Sequence, residues 1–228
     1  MSPTLLIDVD GTISDSLPGI QEGFRIGLAA VDHPLPDDEF LARLAGPPMY
    51  ESMARAGLTG DRLDAALAAY REQQHAGGWA DTRMFDGWPE LLDGWRADGI
   101  RLSTATSKGG YFARKVLDRF GILDRFDFIG AADDGGTRHE KIDVLDHTLT
   151  SLGLPAERRD PVPPTPGGPF PTVMVGDRIH DIEGAHTFGL PCIAVGWGYG
   201  PDEERERADA IAHDMAELDR HARSLLGM

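Results

Sequence analysis

"LLIDVDGTIS", residues 5–14, decides the fold: an apolar run stops on two carboxylates, Asp8 and Asp10, with Gly11 and Thr12 directly after them. Like charges two positions apart at the end of a hydrophobic strand repel each other unless something compensates them. The plainer reading is a strand leaving the core for a polar turn. The sharper reading is a site built around a cation.

Working outward, three more continuous apolar runs have the same form: "IRLSTAT" (100–106), "TVMVGD" (172–177) and "PCIAVGW" (191–197), with a weaker fifth, "FDFIGAA" (126–132). Continuous rather than alternating apolar runs mark strands buried on both faces. Helical patterns lie between them. In "YFARKVLDRFG", Phe112, Val116, Leu117 and Phe120 share a face and Gly121 follows as a stop; "EKIDVLDHTLTSLG" groups Ile142, Leu145 and Leu149. Strands alternating with helices predict an α/β fold with a doubly wound parallel sheet and right-handed crossovers.

Residues 15–84 break the rhythm. They hold helical stretches such as "DDEFLARLAG" and "DRLDAALAAYREQQHAGG" and no convincing strand. The expected division is a core of residues 1–14 and 85–228 with a helical insertion at 15–84. That insertion would sit over the carboxyl edge of the sheet, where open α/β sheets bind ligands. The proline-rich stretch 155–171, with seven of the 16 prolines, suits an exposed and partly mobile loop and receives no function.

Composition narrows the function. The 228 residues carry 22 basic and 38 acidic side chains, a net charge of -16, which disfavours nucleic-acid polymers and anionic membranes. A single cysteine, Cys192, excludes an internal disulfide and fits a reducing, cytoplasmic setting. No run approaches the ~20 apolar residues of a membrane span, and the start lacks a signal-peptide pattern. An acidic protein that handles an anionic substrate needs local positive charge. Only three lysines occur, Lys108, Lys115 and Lys141, and two of them stand at junctions into helices.

Four sets of residues fall where strands end. Asp8 and Asp10 offer a nucleophile and a proton carrier, with Gly11 turning the backbone toward an anion. Thr106, Ser107 and Lys108 close the second strand, where a hydroxyl is either a phosphate donor, a helix N-cap, or both. Lys141 opens a helix and offers a point charge to phosphoryl oxygens. In "VMVGDRIHDIEGA", Asp177 and Asp181 are one helical turn apart, hard oxygen donors that suit Mg²⁺. His139 and His180 are left out, since no His/Cys cluster suits zinc. "VGWGYG" (195–200) reads as a strand-exit loop near the site.

Together "DVDGT", "TSK", the helix-opening lysine and "GDRxxD" resemble the four ordered motifs of the haloacid dehalogenase superfamily, over nearly the whole chain. The insertion resembles that family's C1 cap, and "LAGPPMYESM" (44–53), "MFDGWPELLDGW" and "GWGYG" resemble its phosphoglycolate phosphatase-like and 5′-nucleotidase-like branch. The resemblance implies Asp8 as nucleophile, Asp10 as general acid/base, and Thr106 and Lys141 as phosphoryl binders. It implies Mg²⁺ held by Asp8, Asp177 and the main-chain carbonyl of Asp10, with Asp181 in support. Gly46 and Pro47 are the cap-side candidates for substrate contact. Which of Arg43, Met49, Tyr50, Arg55, Tyr70 or Arg71 faces the site is left open by periodicity.

The expectation is a Mg²⁺-dependent phosphatase of a small phosphorylated metabolite, phosphoglycolate-like or a nucleoside monophosphate. A sugar phosphomutase and a catalytically silent phosphate-binding protein are the alternatives. Dehalogenation is disfavoured by Asp10, and phosphonate hydrolysis by the absence of lysine in residues 15–84.

Overall fold

The computed structural model describes residues 2–133, 138–164 and 170–228. β1 (Thr4–Ile7) is buried along its length, and alternate side chains feed different layers. Leu5 and Ile7 pack with Trp88, Trp95, Val116 and Leu218. Leu6 packs on the other face with Leu145, Met174 and Ile182. A strand covered by helices on both faces has no polar side, which is why the run reads as continuous.

Between β1 and the next long strand come β2 (Ser14–Asp15), α1 (Leu17–Ala29), α2 (Asp38–Ala42), α3 (Met49–Arg55), α4 (Gly60–His75) and β3 (Arg83–Met84). The four helices close on their own apolar cluster, with Phe24, Leu28, Met53 and Leu67 at its centre. β2 and β3 pair antiparallel where the chain leaves and re-enters the core, and Asp15 meets Arg83 across them at 2.8 Å. The expectation of no strand in 15–84 therefore needs correction at its two ends. Two-residue strands are too short to leave a periodic signal.

The chain continues through α5 (Trp88–Ala97), β4 (Arg101–Gly109), α6 (Gly110–Arg119), β5 (Phe128–Ala132), α7 (Lys141–Ser151), β6 (Thr172–Gly176), α8 (Ile179–Thr187), β7 (Cys192–Val195), α9 (Asp202–Arg205), β8 (Ala210–Ala212) and α10 (Met215–Leu226). The six-stranded sheet runs β5-β4-β1-β6-β7-β8, parallel throughout. α5, α6 and α10 cover one face; α7 and α8 cover the other. The doubly wound α/β architecture is as expected. The edge strand β8 and the helix α10 are additions, since "ADAIAH" is short and half-buried among charged residues.

The order of strands reverses at β1, between β4 and β6. Ligands bind at such a switch point, beyond the carboxyl ends of the strands. Asp8 follows β1 there and Asp177 follows β6, and the in-register pairing of Ile7 with Val175 sets the two acids side by side. Of the proline-rich stretch, residues 165–169 lie outside the described residues; 155–164 form no helix or strand.

Candidate active site

Asp8, Asp177 and Asp181 bring three carboxylates together in the core, all buried, with one oxygen of each within 4.8 Å of the others. Lys141, the first residue of α7, reaches into this group. Its Nζ lies 3.0 Å from Asp8 Oδ1 and 2.7 Å from Asp181 Oδ1, and it donates to the carbonyl of Ala105 at 2.7 Å. Burial works against the lysine's charge, but Asp181 and Asp8 outweigh it and hold its pKa above the ordinary value. Burial also pushes the Asp8 carboxyl up, to about 6, with Lys141 opposing and Asp181 and Asp10 adding to the rise. Asp177 rises well above the carboxylate range, through burial and then the charges of Asp181 and Asp8.

Three acids and one lysine leave the cluster short of positive charge. Asp177 Oδ1 is buried without a hydrogen-bond partner among the described residues. A buried, unsatisfied carboxylate oxygen is costly unless a cation meets it. The donors are hard oxygens only, so the residues present fit Mg²⁺. Asp181 has a second task. Its Oδ2 accepts from the N–H groups of Asp177 and Arg178, both at 3.1 Å, and so fixes the turn into α8.

The Asp10 carboxylate stands outside the gathered acids. Lys108 Nζ donates to both of its oxygens, at 2.8 and 2.9 Å. Lys108, expected as a phosphate ligand, lines the cavity and is held against Asp10. The helix α6 is capped by Gly109, so neither Thr106 nor Ser107 is the N-cap. Thr106 Oγ1 accepts from Lys108 N–H at 3.2 Å, which leaves its proton to point elsewhere. Thr106 and Ser107 both line the cavity above Asp8.

The loop that carries Asp8–Thr12 is clamped from two sides. The indole N–H groups of Trp88 and Trp197 both donate to the carbonyl of Thr12, at 3.1 and 3.0 Å. Gly11 has φ +85, and a Cβ there would run into the Asp177 carboxylate. Its role is thus room for Asp177 as well as a turn. Gly198 meets the same acid from the other side: a Cβ would strike Asp177 and lie 2.7 Å from the carbonyl of Gly11. Next to it, Tyr199 N–H donates to Asp177 Oδ2 at 2.8 Å. The Tyr199 hydroxyl accepts from Ser16 and Leu17 N–H, at 2.7 and 3.0 Å, and donates to Asp15 Oδ1 at 2.8 Å. One tyrosine therefore touches both a cluster acid and the entry to the helical insertion.

The insertion forms the roof of a cavity of about 1110 Å³ whose floor is Asp8 and Asp10. Gly46, Pro47, Met49, Tyr50, Tyr70 and Arg71 line it. Among the described residues, Arg43 and Arg55 do not: Arg43 pairs with Glu39, and Arg55 lies over the Phe40 ring. Burial, then the Asp10 charge, pushes the Tyr70 phenol up. Gly46 also has a structural task. Arg178 donates to the neighbouring Ala45 carbonyl, and a Cβ on Gly46 would lie 2.9 Å from Arg178 Cγ.

A family model described as haloacid dehalogenase-like hydrolase matches residues 5–195. The chain belongs to the haloacid dehalogenase-like hydrolase family. Its relatives include a protein of Mycobacterium tuberculosis named tyrosine-protein kinase PtkA, 40% identical over 98% of this chain and 70% of that protein. A 5′-nucleotidase of Pseudomonas aeruginosa is 36% identical over 95% of this chain and 92% of its own length. Among solved structures, that of "a predicted phosphatase from Clostridium acetobutylicum" superposes with a TM-score of 0.87, at 28% identity, over 99% of this chain and 100% of its own. With the family, the relatives named 5′-nucleotidase and phosphatase mark the chain as a phosphatase.

Within this haloacid dehalogenase-like hydrolase, sequence reasoning passed over Trp88, Trp197 and Tyr199. All four tryptophans of the chain follow a glycine, and two of these Gly-Trp pairs, in "DGW" (86–88) and "VGW" (195–197), supply the indoles on Thr12. Only the fold shows that both indoles reach one carbonyl. Among the described residues, no helix is long and apolar enough to cross a membrane.

Proposed function

We propose that the chain is a Mg²⁺-dependent phosphomonoesterase that works through an aspartyl-phosphate on Asp8. The single observation that carries this reading is Lys141 set between Asp8 and Asp181, beside the unpartnered Oδ1 of Asp177. In this reading an Asp8 oxygen attacks phosphorus, and the bond to the leaving-group oxygen breaks. Asp10 gives that oxygen its proton. Asp10 then takes a proton from water as the water oxygen attacks the aspartyl-phosphate, which releases inorganic phosphate and restores Asp8. Lys141 and the Thr106 hydroxyl hold phosphoryl oxygens throughout. Asp8, Asp177 and the main-chain carbonyl of Asp10 would hold Mg²⁺, with Asp181 in support, and the ion supplies charge neutralisation and polarisation of the phosphoryl group when bound.

The substrate in this reading is a small phosphorylated metabolite, met in the cytoplasm. The net charge of -16 and the single, buried Cys192 support that setting, and support neither a nucleic-acid polymer nor a membrane as partner. The test is Asp8→Asn, assayed on p-nitrophenyl phosphate with Mg²⁺ and by acid-quench capture of radiolabelled phosphoenzyme. Loss of both signals is expected. Retained turnover overturns Asp8 as the nucleophile.

A second reading follows from the kinase-named mycobacterial relative. The same intermediate could pass its phosphoryl group to a hydroxyl instead of water, as in a kinase or a sugar phosphomutase. Product analysis separates them: free phosphate marks the hydrolase, and a phosphorylated acceptor or isomer without free phosphate marks the transferase.

A further inference from the structure

At about 1110 Å³ the cavity is large for a site that holds only a phosphoryl group and two carbons. Pockets of ~300–1,000 Å³ accommodate ligands many times that size. In the phosphomonoesterase reading the phosphoryl group sits at the floor, over Asp8. The walls describe the rest of the ligand.

The first feature is charge. Away from the floor, the described lining residues include the carboxylates Glu51, Asp64, Asp133 and Glu140. The lining cations are Arg71 and Lys108, and Lys108 is engaged with both oxygens of Asp10. A second anionic group on the substrate would meet several carboxylates and one arginine. Like-charge juxtaposition of this kind rejects ligands.

The second feature is aromatic. Tyr111 and Phe112 open α6, with ring centres 5.1 Å apart and planes at 76°. His75, at the end of α4, lies 4.9 Å from Phe112 and 5.7 Å from Tyr111. All three line the cavity, and Tyr111 remains 49% exposed there. A wall of rings joining the core to the insertion favours a flat, π-bearing ligand, since stacking and edge-to-face contacts add to apolar burial.

We infer that the substrate's leaving group is uncharged or cationic and carries a flat ring seated against His75, Tyr111 and Phe112. The inference rests on the phosphomonoesterase reading and names a substrate class within it. A nucleoside 5′-monophosphate, with an uncharged leaving group, and free phosphotyrosine, whose carboxylate is balanced by its own ammonium, share this chemistry; 2-phosphoglycolate lacks the ring and carries an uncompensated carboxylate.

The experiment compares kcat/KM for AMP, CMP, free phosphotyrosine, 2-phosphoglycolate and acetyl phosphate on the Mg²⁺-loaded enzyme. Ring-bearing esters are expected to exceed 2-phosphoglycolate by about tenfold or more, as one stacking contact allows. Preference for AMP and CMP assigns the ring to a nucleoside; preference for phosphotyrosine assigns it to a phenol. Phe112→Leu and His75→Ala should each lower the ratio of ring ester to acetyl phosphate by about tenfold. Asp64→Lys should raise 2-phosphoglycolate relative to AMP. A wild-type ranking led by 2-phosphoglycolate, or ratios untouched by the wall variants, overturns the inference while the hydrolase reading stands. The wild-type ranking decides even where a variant fails to fold. Loss of turnover on every compound, acetyl phosphate included, overturns the hydrolase reading and this one with it.

Discussion

Lys108 Nζ holds both carboxylate oxygens of Asp10, at 2.8 and 2.9 Å, with both side chains only 13% exposed. A proton carrier must face the leaving oxygen in one orientation, and a two-point contact fixes that orientation. Lys108→Met is expected to cut kcat by about 10–100-fold, part of the ~10²–10⁴-fold that general acid–base catalysis contributes. KM should change far less. Steady-state kinetics on a phosphate ester distinguish this from a simple substrate contact, which would move KM first.

Gly198→Ala tests the second approach to Asp177. The new methyl group collides with that acid and with the Gly11 carbonyl, inside a part of the molecule that cannot yield. Overpacking of this kind costs about 1–3 kcal/mol. Thermal unfolding should fall accordingly, and the Mg²⁺ concentration needed for half-maximal activity should rise. An unchanged Mg²⁺ titration would show that Asp177 does not read the cation.

The acids also set a pH dependence of stability. Asp8 is raised to about 6 and Asp177 is raised as well, so the folded state binds more protons than the unfolded chain across that interval. The contribution of these two acids to the stability of the metal-free protein is therefore greatest below the ordinary carboxylate value of 3.8 and is lost as pH rises through about 6. Mg²⁺ bound by these acids would take the place of those protons. Its stabilisation, about 2.7 kcal/mol at a hundred times its Kd, should appear mainly on the neutral side. Melting curves in EDTA and in Mg²⁺, taken on either side of that pH, measure both effects.

Glu204 gives the opposite sign. Burial alone would raise it, but hydrogen bonds from Arg178 and the Ile179 N–H hold it below its ordinary 4.5. The Arg178 guanidinium lies 3.0 Å away and also binds the Ala45 carbonyl, so the pair joins α9 to the insertion. Its contribution is present above 4.5 and is lost as pH falls through the lowered folded value. Glu204 is partly exposed, so Glu204→Gln should cost about 1 kcal/mol near neutrality, well under a fully buried pair. The difference in Tm from wild type should close in acid.

Much of this was legible in the residues. Asp8 and Asp177 announced themselves because a buried parallel strand has no reason to end in a carboxylate. Lys141 stood out against a background of arginine. What periodicity could not supply was the partner of each group. Lys108 looked like a phosphate ligand because it follows a strand-end hydroxyl, yet its contact with Asp10 spans 98 positions in sequence. Gly46 lines the cavity as the turn suggested, but the need for glycine there comes from Arg178, far along the chain. Long-range packing of this kind leaves no local pattern. The edge strand β8 escaped for another reason: three residues, two of them half-buried, carry too little apolar signal.

Tyr199 has a thermodynamic consequence. Its hydroxyl secures the segment entering the helical insertion, and its own N–H holds Asp177. Any displacement of that segment also loads a hydrogen bond on the cluster acid. Two events that share one residue have a coupling free energy, and that coupling is reciprocal. A ligand that shifts this segment would load the Asp177 contact, and a cation on Asp177 would bear on the segment to the same degree. Substrate and metal would then each bind more tightly in the presence of the other.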